Sequence, residues 1–327
     1  MSQLYPSEAT CFGKIPSRGD FVKGGGPHLL INSLDEWASR AMDQLSEDPR
    51  WKATYDAACA IDFGLVGARS RISVVGHLRP SVDSSGRRFP FITAAAVERD
   101  DALMFRCAPA GLHASFAAFA RISAAGTGGA DVTSLFADLA RVDCASDFEE
   151  AVRGDPLGNF VRHTSLSSLG EMPGLGGSDT LRRVILAIGL LLQPMVGQAG
   201  VSINKELELP LASDERRRNL VAGLWLYLVT AFLRKTAVEI QFVIERRPDR
   251  PRMLIGFNGV ASDTLRVAMS AGESAEAVIS LRNPQWVDEH PSLLGDYGVA
   301  KLASYLAQPS ISLELVVNTF REVFLGE

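Results

Sequence analysis

The run Leu220 to Leu233, LVAGLWLYLVTAFL, contains no charged side chain. A helix that is apolar on every face has no side to turn to water, so protein or lipid must surround it. Spanning a bilayer takes about 20 such residues, and this run has only 14, although Arg216–Arg218 and Arg234–Lys235 flank it. A core helix opening near Ser213 is therefore expected, with other elements packed around it.

Those elements can be traced from periodicity. ATCFGKIP and GDFVKGG read as two short strands around a turn at Pro16–Ser17. The Ser33/Glu36 spacing of a capping box opens a helix whose buried face is Leu34, Trp37, Ala38, Ala41, Met42 and Leu45. Pro49 ends it, and WKATYDAA adds a short helical turn. AIDFGLV is a strand, and RISVVGHLRP alternates, with Ile72, Val74 and Leu78 inward and Arg71, Ser73, His77 and Arg79 outward. RFPFITAAAV is a third strand, which Pro90 places at an edge or at a strand start. Helical segments follow near Leu112–Ile122 and Val132–Val142. The order β-β-α-β-β-β-α-α is that of a profilin- or longin-like unit over residues 1–150.

Residues 151–178 are rich in Gly, Ser and Pro and read as a linker. Residues 179–327 form a second, smaller α/β unit. It holds a helix to Leu192 capped by Ser178/Asp179, a strand near Val201–Leu209, the core helix, and a hairpin of AVEIQFVIE with MLIGF. In that hairpin Val238, Ile240, Phe242 and Ile244 face inward. A final helix buries Leu313, Val316, Val317, Phe320, Val323 and Phe324. The fold class expected is α+β, an α/β sandwich with an antiparallel-rich sheet flanked by helices.

Charge excludes one class of partner. The net charge is −5 and neither half carries a basic excess, so nucleic acid is not expected. Cys11, Cys59, Cys107 and Cys144 are too far apart for a zinc or C-x-x-C site. MSQLYPSEAT has no basic stretch leading into an apolar run, so no leader is expected. A cytoplasmic location without membrane insertion is the expectation.

Several motif fragments fail on their chemistry. Gly13–Lys14 is followed by Ile15, whereas a phosphate loop needs Ser or Thr there to meet magnesium. Arg18-Gly19-Asp20 is a turn, with Gly19 shaping the backbone and Asp20 bonding nearby amides. GLGGSD ends in Asp where the dinucleotide fingerprint requires Gly or Ala. His77, Ser81 and Asp83 lie too close along one strand end to stack as a triad. Ser270, in AMSAG, closes a helix opened at Ser262–Asp263 and capped by Gly272. No assembled active site is expected, and no cofactor or metal.

One constellation, LRPSVDSSGRRFPF, remains. It is either a tight connection, with Asp83 capping the turn, Gly86 at positive φ and the arginines in solvent, or a surface presenting Asp83, Arg87 and Arg88 to a partner. Together with FGKIPSRGDFV it resembles the TagF (ImpM-like) family of accessory proteins of bacterial type VI secretion. Gly13, Lys14, Pro16, Arg18, Gly19, Asp20 and Phe21 match the first family block, Trp37 the helix, and Pro80, Ser81, Val82, Asp83, Gly86, Arg87, Phe89 and Pro90 the second. LELPLASDERRRNLVAGLWLYL and PRMLIGFNGVASDTL are similar to the family's C-terminal part. YDAACAIDFGLVGARS departs from it, being poor in Trp and Phe, and no phosphatase domain is expected.

The resemblance implies a non-enzymatic regulator that represses the secretion machine after translation. It would bind the forkhead-associated scaffold protein, with other secretion components as further partners. Lys14, Arg18 and Asp20 would form a charged face paired with Arg87 or Asp83, and Arg18, Arg87 and Arg88 are the docking candidates. The family-motif positions are Lys14, Arg18, Asp20, Phe21, Trp37, Ser81, Asp83, Arg87, Arg88 and Phe89. Two alternatives stay open: a serine hydrolase using Ser270 or Ser81, and a pure assembly module of the apparatus.

Overall fold

The computed structural model describes residues 8–67, 71–99, 101–196, 203–233, 238–247, 249–270 and 276–327. In chain order come β1 (Thr10–Gly13), β2 (Val22–Gly25), α1 (His28–Ser46), α2 (Trp51–Asp56), β3 (Ile61–Val66), β4 (Ile72–Arg79) and β5 (Phe91–Glu98). Then follow α3 (Asp101–Cys107), α4 (His113–Thr127) and α5 (Val132–Leu139). The order expected for the first half is present, with α3 as an addition. The stretch expected as a linker is largely helical: α6 (Cys144–Gly154) runs into it, followed by α7 (Pro156–His163) and α8 (Leu166–Gly170). The rest comprises α9 (Ser178–Leu192), β6 (Glu206–Pro210), α10 (Glu215–Thr230), β7 (Ile240–Glu245), β8 (Arg252–Gly256), α11 (Ser262–Met269), β9 (Val278–Ser280), α12 (Ser292–Gly295), α13 (Tyr297–Leu306) and α14 (Leu313–Leu325).

The strands of both halves share one sheet, in the order β2-β1-β5-β4-β3-β7-β8-β6-β9. All pairs are antiparallel except β6 with β9. The seam between halves is β3 against β7, six residue pairs from Ile61–Glu245 to Val66–Ile240. Opposite each other in that seam are Gly64 and Phe242; a Cβ on Gly64 would lie 2.3 Å from the Phe242 ring. Glycine at this point lets the aromatic ring lie flat over the neighbouring strand.

Helices cover both faces. On one, α1, α2 and α11 bury Leu34, Trp37, Tyr55 and Leu265 against Ile61, Phe63, Leu78, Ile92 and Val243. On the other, a much thicker helical layer packs on Val75, Phe91, Val97, Ile240, Phe242, Ile244 and Ile255. The apolar part of α10, from Leu220 onward, sits inside that layer. It contacts α3, α7 and α9, and its Trp225 donates from Nε1 to the Pro210 carbonyl of the sheet at 2.8 Å. Val221, Leu224, Trp225, Leu226, Leu228 and Val229 are all buried, which accounts for apolar side chains on every face. No helix among the described residues is long and apolar enough to cross a membrane.

Covering both faces changes the expected pattern of β4. Ser73 and His77, expected outward, are buried under the thick layer, while Ile72, expected inward, is 42% exposed. The face of α1 is as expected, but the helix begins at His28 behind Pro27 rather than at Ser33, and Leu30 and Ile31 of the added turn are buried. Likewise α9 is capped by the backbone at Gly177, with no side-chain cap from Ser178. β5 starts immediately after Pro90 in the sheet interior, the strand-start outcome. Val201 and Gly272 lie outside the described residues.

Candidate functional site

The two motif blocks interlock at the β1–β2 end of the sheet. Gly13, at φ 136°, ends β1 where a Cβ would fall 2.0 Å from the Pro90 carbonyl oxygen. Only glycine allows the first block to touch the second there. The turn after it closes through Arg18 N–H to the Ile15 carbonyl, and Ser84 N–H donates to the Arg18 carbonyl at 2.9 Å. The glycine of that turn, Gly19, lies outside the left-handed region and contributes its carbonyl, which accepts from Arg87 Nη2.

Asp83 is the centre of this clamp. Its carboxylate accepts from Ser85 N–H and Arg87 N–H at 2.9 Å each, from Arg87 Nε at 2.7 Å, and faces Lys14 Nζ at 3.0 Å. The carboxylate is fully shielded from water and Lys14 nearly so. Burial would raise the acid's pKa, but the donors from Arg87, Lys14 and Ser85 outweigh it and hold the group well below the usual carboxylate range. Gly86, at φ 77°, closes the turn as expected. Ser81 is locked from the other side: Tyr55 Oη accepts from Ser81 N–H at 2.8 Å and donates to the Ser81 carbonyl at 3.0 Å.

Three aromatic rings cement the blocks. Phe12 and Phe21 stack at 5.3 Å, and Phe89 meets both edge-on at 5.6 and 4.9 Å. Lys14 lies 5.1 Å from the Phe21 ring centre and Lys23 5.2 Å from that of Phe12. Trp37 is farther away, in the α1 core, with its ring 4.9 Å from Phe63 and its Nε1 donating to the Ala261 carbonyl.

The sequence candidates thus separate into three groups. Lys14, Trp37, Ser81, Asp83 and Phe89 are buried parts of the scaffold. Arg87 is committed to Asp83 and Gly19, and Arg88 makes a two-pronged pair with Asp56 at 2.8 and 2.6 Å. Under either reading of the second block the arginines are not free: both charges are met within the chain, while the Arg87 side chain stays 60% exposed. Arg18, Asp20 and the 41%-exposed Phe21 remain at the surface. The Asp20 carboxylate, expected to bond nearby amides, makes no hydrogen bond among the described residues.

Of the serine candidates, Ser270 ends α11 and its hydroxyl donates to the Arg266 carbonyl at 2.6 Å. Ser81 Oγ is buried and meets no partner. His77 Nε2 also meets none, so neither hydroxyl is within hydrogen-bond reach of that imidazole. Burial pushes the thiols of Cys11 and Cys144 up to about 12, far from the thiolate range.

Sequence reasoning missed a buried polar row. His77 Nδ1 donates to Asp62 Oδ1 at 2.7 Å, and Arg246 Nε donates to Asp62 Oδ2 at 2.9 Å. Asp62 inside an apolar strand was the one visible signal. Burial lowers the His77 pKa against the opposing pull of Asp62, with Arg246 and Arg79 adding to the lowering. The unfolded chain therefore binds a proton that the folded chain refuses, and stability falls as pH drops below about 6.5. Thermal melts should show a lower midpoint at pH 5.5 than at pH 7.5. His77→Asn, which keeps a donor for Asp62, should flatten that difference; an unchanged pH slope would place its origin elsewhere.

The arrangement defines an α/β sandwich protein whose signature residues hold two sequence blocks together and leave one small exposed tip. Residues 10–142 match the family model described as the TagF N-terminal domain, type VI secretion system-associated. These residues form a TagF-like N-terminal domain, which links the chain to type VI secretion. Among solved structures it is similar to the crystal structure of PA0076 from Pseudomonas aeruginosa PAO1, at 22% identity and a TM-score of 0.35. That match covers 41% of this chain and 61% of the other. No curated protein matches.

Proposed function

We propose that this protein is a non-enzymatic, post-translational negative regulator of type VI secretion, acting by binding and withholding the forkhead-associated scaffold protein. The observation that carries the reading is the TagF N-terminal domain over residues 10–142. The charges of Lys14, Asp83, Arg87 and Arg88 are spent internally, which supports a rigid docking body over a reactive centre. The docking point is the exposed tip, where Arg18 and Phe21 pair the two side-chain types enriched at binding hot spots, a guanidinium and an aromatic ring.

The test is a pull-down of the tagged protein from cells expressing its secretion gene cluster, read by mass spectrometry. Recovery of the forkhead-associated scaffold supports sequestration; recovery of sheath or membrane-complex components instead moves the mechanism, and recovery of no secretion component overturns the reading. Arg18→Ala with Phe21→Ala should then weaken scaffold binding by at least tenfold, about 1.4 kcal/mol. Arg18→Ala alone, at an exposed site, should change folding stability by no more than ~0.5 kcal/mol. Unchanged affinity in the double variant would remove the tip from the interface.

A further inference from the structure

We propose that Arg79, Arg218 and Arg246 form a binding site for an oxyanion, a group with two acceptor oxygens such as a phosphoryl or carboxylate. The site lies at the same end of the sheet as the motif blocks, where Arg79 pairs with Phe91, and does not depend on the identity of any secretion partner.

The register builds it. Ile61 pairs with Leu78 on one side and with Glu245 on the other. One residue further, Ala60 lies between Arg79 and Arg246, and its carbonyl accepts from Arg246 N–H at 3.0 Å. The alternation of strands puts Arg79 and Arg246 on the same face as Asp62 and His77. Two strand spacings separate their backbones by roughly 9–10 Å, and the residue between them is only an alanine, itself partly exposed. The strand position between the two arginines thus carries nothing larger than a methyl group. Arg218, in the first turn of α10, is buried close by, with Nε and Nη2 donating to the Ala212 and Ser213 carbonyls.

The nearby carboxylates are already engaged. Asp62 and Glu215 are both held by Arg246, and Asp214 caps α10. The Arg79 side chain has no hydrogen-bond or ion-pair partner among the described residues, and its Nε is buried. A buried donor on a cation without a partner is costly. Burial, and then the neighbouring Arg246, press the Arg79 guanidinium toward its neutral form. An oxyanion seated over Ala60 would take the free Arg79 donors and give that cation its own counter-charge, and guanidinium forks suit its paired oxygens.

The experiment uses the full chain and its Arg79→Gln variant, melted in sodium phosphate, sodium acetate and sodium chloride at matched ionic strength. In the wild type, phosphate or acetate should raise the midpoint by about 3 °C or more over chloride. Arg79→Gln should abolish that rise while melting no lower than wild type in chloride, because the arginine it removes has no partner to lose. Arg79→Lys, a charge without the fork, should retain less than half of it. A rise in phosphate alone identifies a phosphoryl ligand, and a rise in acetate identifies a carboxylate. No rise over chloride in the wild type, or a full rise in Arg79→Gln, overturns the proposal.

Discussion

Asp83→Ala lowers the melting temperature by roughly 5–10 °C, the loss expected when one partner of a buried ion pair is removed. The variant leaves Lys14 in a nearly dry site facing no carboxylate, and frees the Ser85 and Arg87 amides that Asp83 accepts. It also releases Arg87, whose other contact, the Gly19 carbonyl, ties the second block to the first. Asp83→Asn loses less, because an amide oxygen still accepts from backbone N–H. A Lys14→Met, Asp83→Ala double variant should recover part of the loss, since no buried charge is then left over. The pH dependence follows from the sign of the shift. The folded acid titrates well below the unfolded one, so its contribution is complete above the usual carboxylate range and disappears only as pH falls through that depressed value. An Asp83→Ala protein melting within a degree of wild type would mean that the clamp does not hold the blocks together.

Trp225→Ala costs about 3–5 kcal/mol in urea or guanidinium unfolding, the range for deleting a large aromatic side chain from a packed core. Trp225 is fully buried, midway along α10, and its Nε1 bonds to the Pro210 carbonyl at the end of β6. The substitution therefore opens a cavity between the inner helix and the sheet and leaves a buried carbonyl unpaired. Trp225→Phe separates these terms: it keeps most of the volume and loses the hydrogen bond, at a cost of about 1–3 kcal/mol. Both should shift the midpoint without changing the denaturant slope. A loss below ~1 kcal/mol for Trp225→Ala would show that α10 is not packed as described.

The legibility of these two sites differs. The burial of α10 follows from composition alone, since no arrangement of fourteen apolar residues leaves a wet face. The clamp was half legible. Both blocks, the turn and the positive φ of Gly86 were readable, and a link between Lys14 and Asp83 was among the pairings weighed. The ion pair of Arg88 was not foreseen, because it finds its carboxylate 32 residues earlier, on α2. Helix starts failed for a related reason. Ser33 carries a good local capping signature, yet burial of Leu30 and Ile31 extends α1 back to Pro27, and packing outweighs a cap that contributes only about 1 kcal/mol.

Local chemistry along the chain did not establish α3 or the helices of residues 151–178, but it was enough to establish the first five strands and α1, the helix that must be enclosed, and the paired motifs of a TagF-like domain. Those depend on periodicity and on residues a few positions apart, where the chain's own geometry sets the distances. The fold in three dimensions settled the seam of β3 with β7, the burial of both faces of β4, and the partners of Lys14, Asp83, Arg87 and Arg88. Asp62 and Arg246 are 184 residues apart, and nothing local records their meeting. An ion pair needs a separation of a few ångströms, and for residues so distant in sequence that separation exists only once the sheet has closed between them.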